Sequence, residues 1–160
     1  MTKYPTHNAL DSNAKSVSMN LLNARVADTI DLALAIKQAH WNLKGRQFIA
    51  VHEMLDKFRD DVDEYVDTMA ERVSALGGAP LGTTQAVAKA TQLKPYPTNI
   101  SAIEDHLRAL IERTAAVANA VRANIDESDE AGDADTADIF TQASRDFDKW
   151  LWFLEAHLQE

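Results

Sequence analysis

Apolar residues recur along this chain at the three-to-four-residue spacing of helices that bury one side, and they do so in four long stretches. After a polar, aperiodic start, MTKYPTHNALDSN, a first helix has Leu21, Leu22, Val26, Ile30, Ala33 and Ile36 as its apolar side. Asp11 or Ser12 caps it, and it runs to about Leu43, with Gly45 ending it. A second helix, about Gln47 to Leu76, places Phe48, Val51, Leu55, Phe58, Val62, Tyr65, Met69, Val73 and Leu76 within an arc of roughly 100°, taking about 100° per residue. Gly77 and Gly78 stop it. Between Ala79 and Pro97 lies a connection rich in Pro, Gly and Thr, with a short helix expected at Thr84 to Thr91; a crossover of this length lets the helices on either side run parallel. Thr98 or Ser101 opens a third long helix, Ser101 and Glu104 having capping-box spacing, and it lasts to about Ile125. The acidic turn DESDEAGDAD follows. Asp135 or Asp133 caps a fourth helix, about Ala134 to Leu158, with Ile139, Phe140, Phe147, Leu151 and Leu154 inward. The expected fold is all-α: a tail at residues 1–13 and one four-helix-bundle domain at residues 14–160, with the short helix in the long connection between the second and third helices.

Composition narrows the function classes. With 160 residues, 46% of them hydrophobic, the chain is long enough for one domain with a real core. No apolar run approaches the roughly eighteen residues of a membrane span, and the start lacks the charged-then-apolar order of a signal peptide, so the expected location is the cytoplasm. Absence of Cys rules out thiolate metal sites and disulfides. A net charge of -9 disfavours a broadly basic nucleic-acid surface and suits attraction of cations.

The second helix carries a further stripe beside its apolar one. His52, Asp56, Asp60, Asp63, Asp67 and Glu71 fall within another arc of roughly 100°. Acids on an exposed helix face are ordinarily a solvated surface, which is the better account of Asp60, Asp61, Asp63 and Glu64 taken singly. His52 with Asp56, and Asp67 with Glu71, are i,i+4 pairs that set two ligand types side by side. Imidazole and carboxylate without sulfur suit Fe, Mn or Zn, and hard carboxylate oxygen suits Fe(III). His52 and Asp67 are fifteen residues apart, about 22 Å along one helix, so they cannot hold one ion within one chain. Antiparallel crossing of two copies of this helix about a two-fold axis near residues 60–63 brings the halves together. His40, on the first helix across the Gly45 turn, returns to the His52 end. The expected site then takes His40, His52 and Asp56 from one chain and Asp67 and Glu71 from the other.

These residues carry a family resemblance. KQAHWN, FIAVHEMLD, DTMAER and LGG, followed by LGTTQ, the YP before the third long helix, DHL at 105–107 and DTADIFTQASRDFDKWLWFLE, are closely similar to the signature of Dps proteins, the DNA protection during starvation proteins of the ferritin-like superfamily. The similarity covers about Leu21 to Glu155. It implies a ferritin-like four-helix bundle, a homo-oligomeric, dodecameric hollow shell, and oxidation and storage of iron at sites shared across two-fold interfaces, with hydrogen peroxide as the preferred oxidant of Fe(II). The family's ferroxidase positions fall on His40, His52, Asp56, Asp67 and Glu71, and Trp41 matches the tryptophan beside that site. Acids similar to Asp133, Asp135 and Asp138 line an iron inlet pore where three subunits meet.

Other chemistries fit less well. HEMLD has Asp56 where a zinc protease needs its second histidine, and E-x-x-H, the mark of di-iron centres buried in one bundle, does not occur. His7, His106 and His157 stand alone, and Trp150, Trp152 and Phe153 read as packing or subunit contact. An inert assembly protein would explain the apolar stripes but not five ligand-type residues in register. A nucleoid protein that compacts DNA is the alternative function. Family members that bind DNA commonly use lysine-rich tails, whereas this one offers Lys3 and Lys15, enough through avidity for weak binding at low salt.

Overall fold

The computed structural model describes residues 4–159 and is built of five helices among them: α1 (Ser12–Asn42), α2 (Phe48–Ala75), α3 (Thr84–Ala90), α4 (Ile103–Glu130) and α5 (Ala134–Ala156). The four long helices form the bundle and the short α3 lies against α1. Asp11 caps α1, its carboxylate accepting from Asn13 N–H at 2.7 Å. Ser12 and Asn13, expected in the tail, are therefore already helical. Arg25 donates to Asn124 and Lys44 N–H to Ser101 C=O, so numbering rises along α1 as it falls along α4, and the two are antiparallel. As α2 also returns antiparallel along α1, α2 and α4 run the same way, as a long crossover allows.

The apolar stripe of α2 is the inside of the subunit. Val51, Leu55, Phe58, Val62, Met69 and Val73 are buried against Leu22, Leu32, Ile36, Leu107, Phe140 and Phe147. Phe48, expected on the same dry side, is 42% exposed because it sits in the first turn, at the end of the bundle. Leu55, Phe58 and Val62 consequently hold the subunit itself together and offer nothing to a neighbour.

Two helix ends use the same device. Gly77 (φ 84°) and Gly132 (φ 91°) take the left-handed conformation that lets the N–H groups of the next residues turn back onto the last carbonyls. Gly78 N–H bonds Val73 C=O at 2.9 Å, and Asp133 N–H bonds Ser128 C=O at 3.0 Å. The second of these places the end of α4 later than expected: Asp126 to Glu130 are helical, and the turn shrinks to Ala131 and Gly132. Its start is also later, at Ile103. Lys44 bridges Ala102, with Ile103 N–H donating to Lys44 C=O, which keeps the segment extended up to that point; no side chain caps the helix, and Ser101 does not form the capping box.

Residues 4–11 are fastened to the end of α2. Tyr4 N–H donates to Gly77 C=O at 2.7 Å, Thr6 Oγ1 to Ala75 C=O at 3.4 Å, and Leu10 packs on the core. A Cβ at Gly77 would lie 2.7 Å from Tyr4 C=O, so this approach requires glycine.

Asp133 caps α5, is fully buried, accepts from Thr136 N–H at 3.1 Å and Oγ1 at 2.6 Å, and pairs with Arg72 of α2 at 2.6 Å. Burial pushes its carboxyl upward, but the Thr136 and Arg72 hydrogen bonds outweigh that and hold it below the usual carboxylate range. A carboxyl so depressed stabilises the fold above the pKa of the unfolded chain and stops doing so as pH falls through its folded value. Asp133→Asn is expected to lower stability by about 1–2 kcal/mol at neutral pH. The gap between the melting curves of parent and variant should narrow as pH falls below the usual carboxylate range.

Candidate metal centre

His40 lies in the last turn of α1 and His52 in the second turn of α2; the reversal around Gly45 folds the two helix ends together. The imidazoles stack with centroids 3.6 Å apart and planes 21° from parallel. Each ring reaches across to the other residue's backbone: His40 Nδ1 is 3.0 Å from His52 C=O, and His52 Nδ1 is 3.0 Å from His40 C=O. A carbonyl oxygen only accepts, so both rings carry a proton on Nδ1, and in the neutral tautomer this leaves the lone pair on Nε2. This is the outer-shell arrangement that fixes tautomer and ring orientation in histidines that bind metals.

Asp56, one turn after His52, completes the group. One donor atom from each of His40, His52 and Asp56 lies within 4.8 Å of the others, and this is the metal-competent cluster among the described residues. Its rear is dry, His40 being buried, while the side chain of Asp56 is 47% exposed. Phe48 tilts against His52 at 5.0 Å, and Trp41, next to His40 in the chain, is 70% exposed. Two imidazole nitrogens and one carboxylate oxygen suit Fe(II), and three ligands on one side leave coordination positions facing out.

Asp67 and Glu71 stay apart. Both are exposed further along the same helix, and among the described residues neither carboxylate makes a hydrogen bond or ion pair. One chain thus holds a three-residue cluster at one end of the α2 stripe and two unengaged acids toward the other.

Lys37 was not foreseen. Its ammonium pairs with Asp56 Oδ1, which also lies 3.3 Å from His40 Nδ1. The hydrogen bond from the Lys37 ammonium holds the Asp56 carboxyl below its ordinary range against the opposing effect of burial, and the Lys37 charge and, whenever they are protonated, His40 and His52 act in the same direction. The signal was present: Lys37 is one turn before His40 and shares its side of α1.

Among the remaining sequence-derived residues, Asp133 is corrected. Buried under Arg72 and Thr136, it cannot line a pore. Asp135 and Asp138 are exposed at the start of α5, Asp135 lying 3.5 Å from Arg72 and Asp138 accepting from Gln142. Lys15 lies within α1, and its ammonium donates to Asn8 C=O, so it ties down the tail instead of projecting from it. Lys3 lies outside the described residues.

The family model of the ferritin-like domain matches residues 19–160. A DNA protection during starvation protein of Agrobacterium fabrum is 63% identical over all 160 residues and 99% of its own length. The chain belongs to the Dps family, within the ferritin-like fold. Two Dps structures agree in shape: DpsA14 of Streptomyces coelicolor, with a TM-score of 0.93 and 33% identity over 100% of this chain and 95% of that one, and Dps of Mycobacterium smegmatis, with 0.93 and 31% over 98% and 95%. The Dps fold accounts for a four-helix bundle whose second and third long helices are joined by a crossover containing a short helix. No helix among the described residues is long and apolar enough to cross a membrane.

Replacing Lys37 with Met keeps the stem and removes the competing charge. It is expected to raise affinity for Co(II) or Zn(II), used as non-oxidising probes, roughly two- to fivefold, the worth of an exposed ion pair. Titration calorimetry on parent, Lys37→Met and Lys37→Arg checks this, Arg behaving as parent.

Proposed function

We propose that this Dps protein oxidises Fe(II) at sites made jointly by two chains and stores the Fe(III) inside a hollow shell, a dodecamer of two-fold dimers. The observation that supports this most directly is the pairing of a partial site, His40, His52 and Asp56, with two unengaged acids, Asp67 and Glu71, on one stripe of one helix. About 22 Å of helix separates His52 from Asp67, so only a second copy running the other way supplies the missing carboxylates. In this reading hydrogen peroxide is the preferred oxidant: two Fe(II) each give one electron, the O–O bond breaks, and with two protons two waters form, leaving no hydroxyl radical. Carboxylates favour the higher charge of Fe(III) and the open positions admit peroxide. Asp135 and Asp138 are proposed to focus cations at a three-fold inlet, where one acid per chain becomes a ring.

DNA is then protected chiefly by removal of iron and peroxide. Direct compaction, the other reading, loses support because Lys15 and residues 4–11 are engaged by the bundle and the net charge is -9. Gel shifts should show no complex at physiological salt.

Replacing His40 and His52 together with Gly should abolish rapid Fe(II) oxidation while the shell still assembles by light scattering; parental rates would place the site elsewhere. Shared ligation gives a sharper outcome. Glu71→Gln and His52→Gly chains should each form nearly inactive assemblies, every site lacking one ligand. Co-assembled, a mixed dimer has one intact site and one doubly damaged site, so up to about half the activity per mixed dimer should return. No recovery in verified mixed dimers would exclude sharing. Asn at Asp135 and Asp138 should slow uptake, most at low ionic strength.

A further inference from the structure

The side chains joining α2 to α5 form a crossed square. Asp61 and Tyr65 are one turn apart on α2, and Asp146 and Trp150 are one turn apart on α5. Because the helices are antiparallel, each acid meets the aromatic residue of the other helix. Trp150 Nε1–H donates to Asp61 Oδ2 at 2.8 Å, and Tyr65 OH donates to Asp146 Oδ2. The Lys149 ammonium stands between the acids, 3.5 Å from Asp61 Oδ2 and 3.2 Å from Asp146 Oδ1. Trp150 is 5% exposed; its ring stacks on Phe58 at 4.8 Å and meets Phe153 edge-on at 5.4 Å. Phe153 lies 4.9 Å from Trp152, which is 61% exposed. An aromatic line thus runs from the surface of α5 to Phe58, two residues beyond Asp56 on α2.

Packing alone asks for less. A buried indole or phenol needs an acceptor, and a neutral amide or carbonyl would serve. Here both receive carboxylates, balanced by one shared lysine. A carboxylate differs from those other acceptors in that it can take the proton. One-electron oxidation of Trp or Tyr sheds the N–H or O–H proton, and a base already hydrogen-bonded to it removes the charge that would otherwise be stranded in a dry interior.

We propose that Trp150 and Tyr65, with Asp61 and Asp146 as proton acceptors, form an electron relay that captures one-electron oxidants of the hydroxyl-radical class and stores the oxidising equivalent on Tyr65. The oxidant takes one electron through Trp152 and Phe153 and leaves as hydroxide, while Trp150 loses its Nε1 proton to Asp61 and becomes a neutral indolyl radical. Tyr65 then gives an electron to Trp150, whose nitrogen recovers the proton from Asp61, and the phenol proton passes to Asp146. A small one-electron reductant of the ascorbate class reduces the phenoxyl radical, and Asp146 returns the proton. The relay keeps stray oxidants from histidines that bind iron and from nearby DNA. Only this benefit rests on the iron-oxidising reading; the electron transfer itself needs no iron.

Pulse radiolysis of the metal-free assembly with azidyl radical, which oxidises indoles, tests the relay separately from iron chemistry. In a Trp41→Phe background Trp150 and Trp152 are the indoles that remain. Indolyl absorbance should decay in first order, independent of protein concentration, while phenoxyl absorbance rises at the same rate, more slowly in deuterated water. Tyr65→Phe should abolish the rise, and Asp61→Asn or Asp146→Asn should slow it roughly tenfold or more. A phenoxyl rise unchanged in Tyr65→Phe would overturn the relay. So would parental rates in both Asn variants, or the absence of a solvent isotope effect in the unsubstituted square, an observation that does not depend on any of its variants folding.

Discussion

A straight helix cannot bring its own ends together, and most of this molecule follows from that. The core behind α2, from Val51 to Val73, keeps it in one uninterrupted run, so the spacing of its ligand-type residues is fixed by the rise per residue. Only the end near His52 gains a third group from elsewhere in the same chain, because the Gly45 reversal lays His40 of α1 beside it. The other end faces outward with its acids unspent. Rigidity in the fold thus keeps the two groups of ligand-type residues apart within one chain.

What the near end has, it holds firmly. The two Nδ1–carbonyl contacts are reciprocal, so α1 and α2 orient each other's imidazole, and a ring that turns gives up its bond to the opposite backbone and its stacking on the other ring. The order that metal capture would need is already present in the folded subunit.

The helices were legible because burial writes a period into the sequence, and four long amphipathic stretches leave little freedom in how they pack. Residue types at i and i+4 made His52 with Asp56, and Asp67 with Glu71, visible for the same reason. Events that depend on a distant strand of chain were not legible. Ser101 has a fitting partner in Glu104, yet the Lys44 bridge holds its backbone extended, and a local motif gave way to a tertiary contact. Asp126 to Glu130 look like a turn by composition, but Gly132 sets where α4 stops. Asp133 reads equally as cap or pore acid until Arg72, sixty-one residues away, is seen to bury it. Lys15 reads as a free cation until Asn8 claims it, and Lys37 as a surface charge until α2 brings Asp56 alongside.

The Lys37–Asp56 pair bears on how such a protein lives between loads. Here a tethered ammonium covers the carboxylate that cargo would occupy, and its flexible stem lets it swing aside. The charge that ties α1 to α2 beside the histidines is thus the same charge that an incoming cation would have to displace.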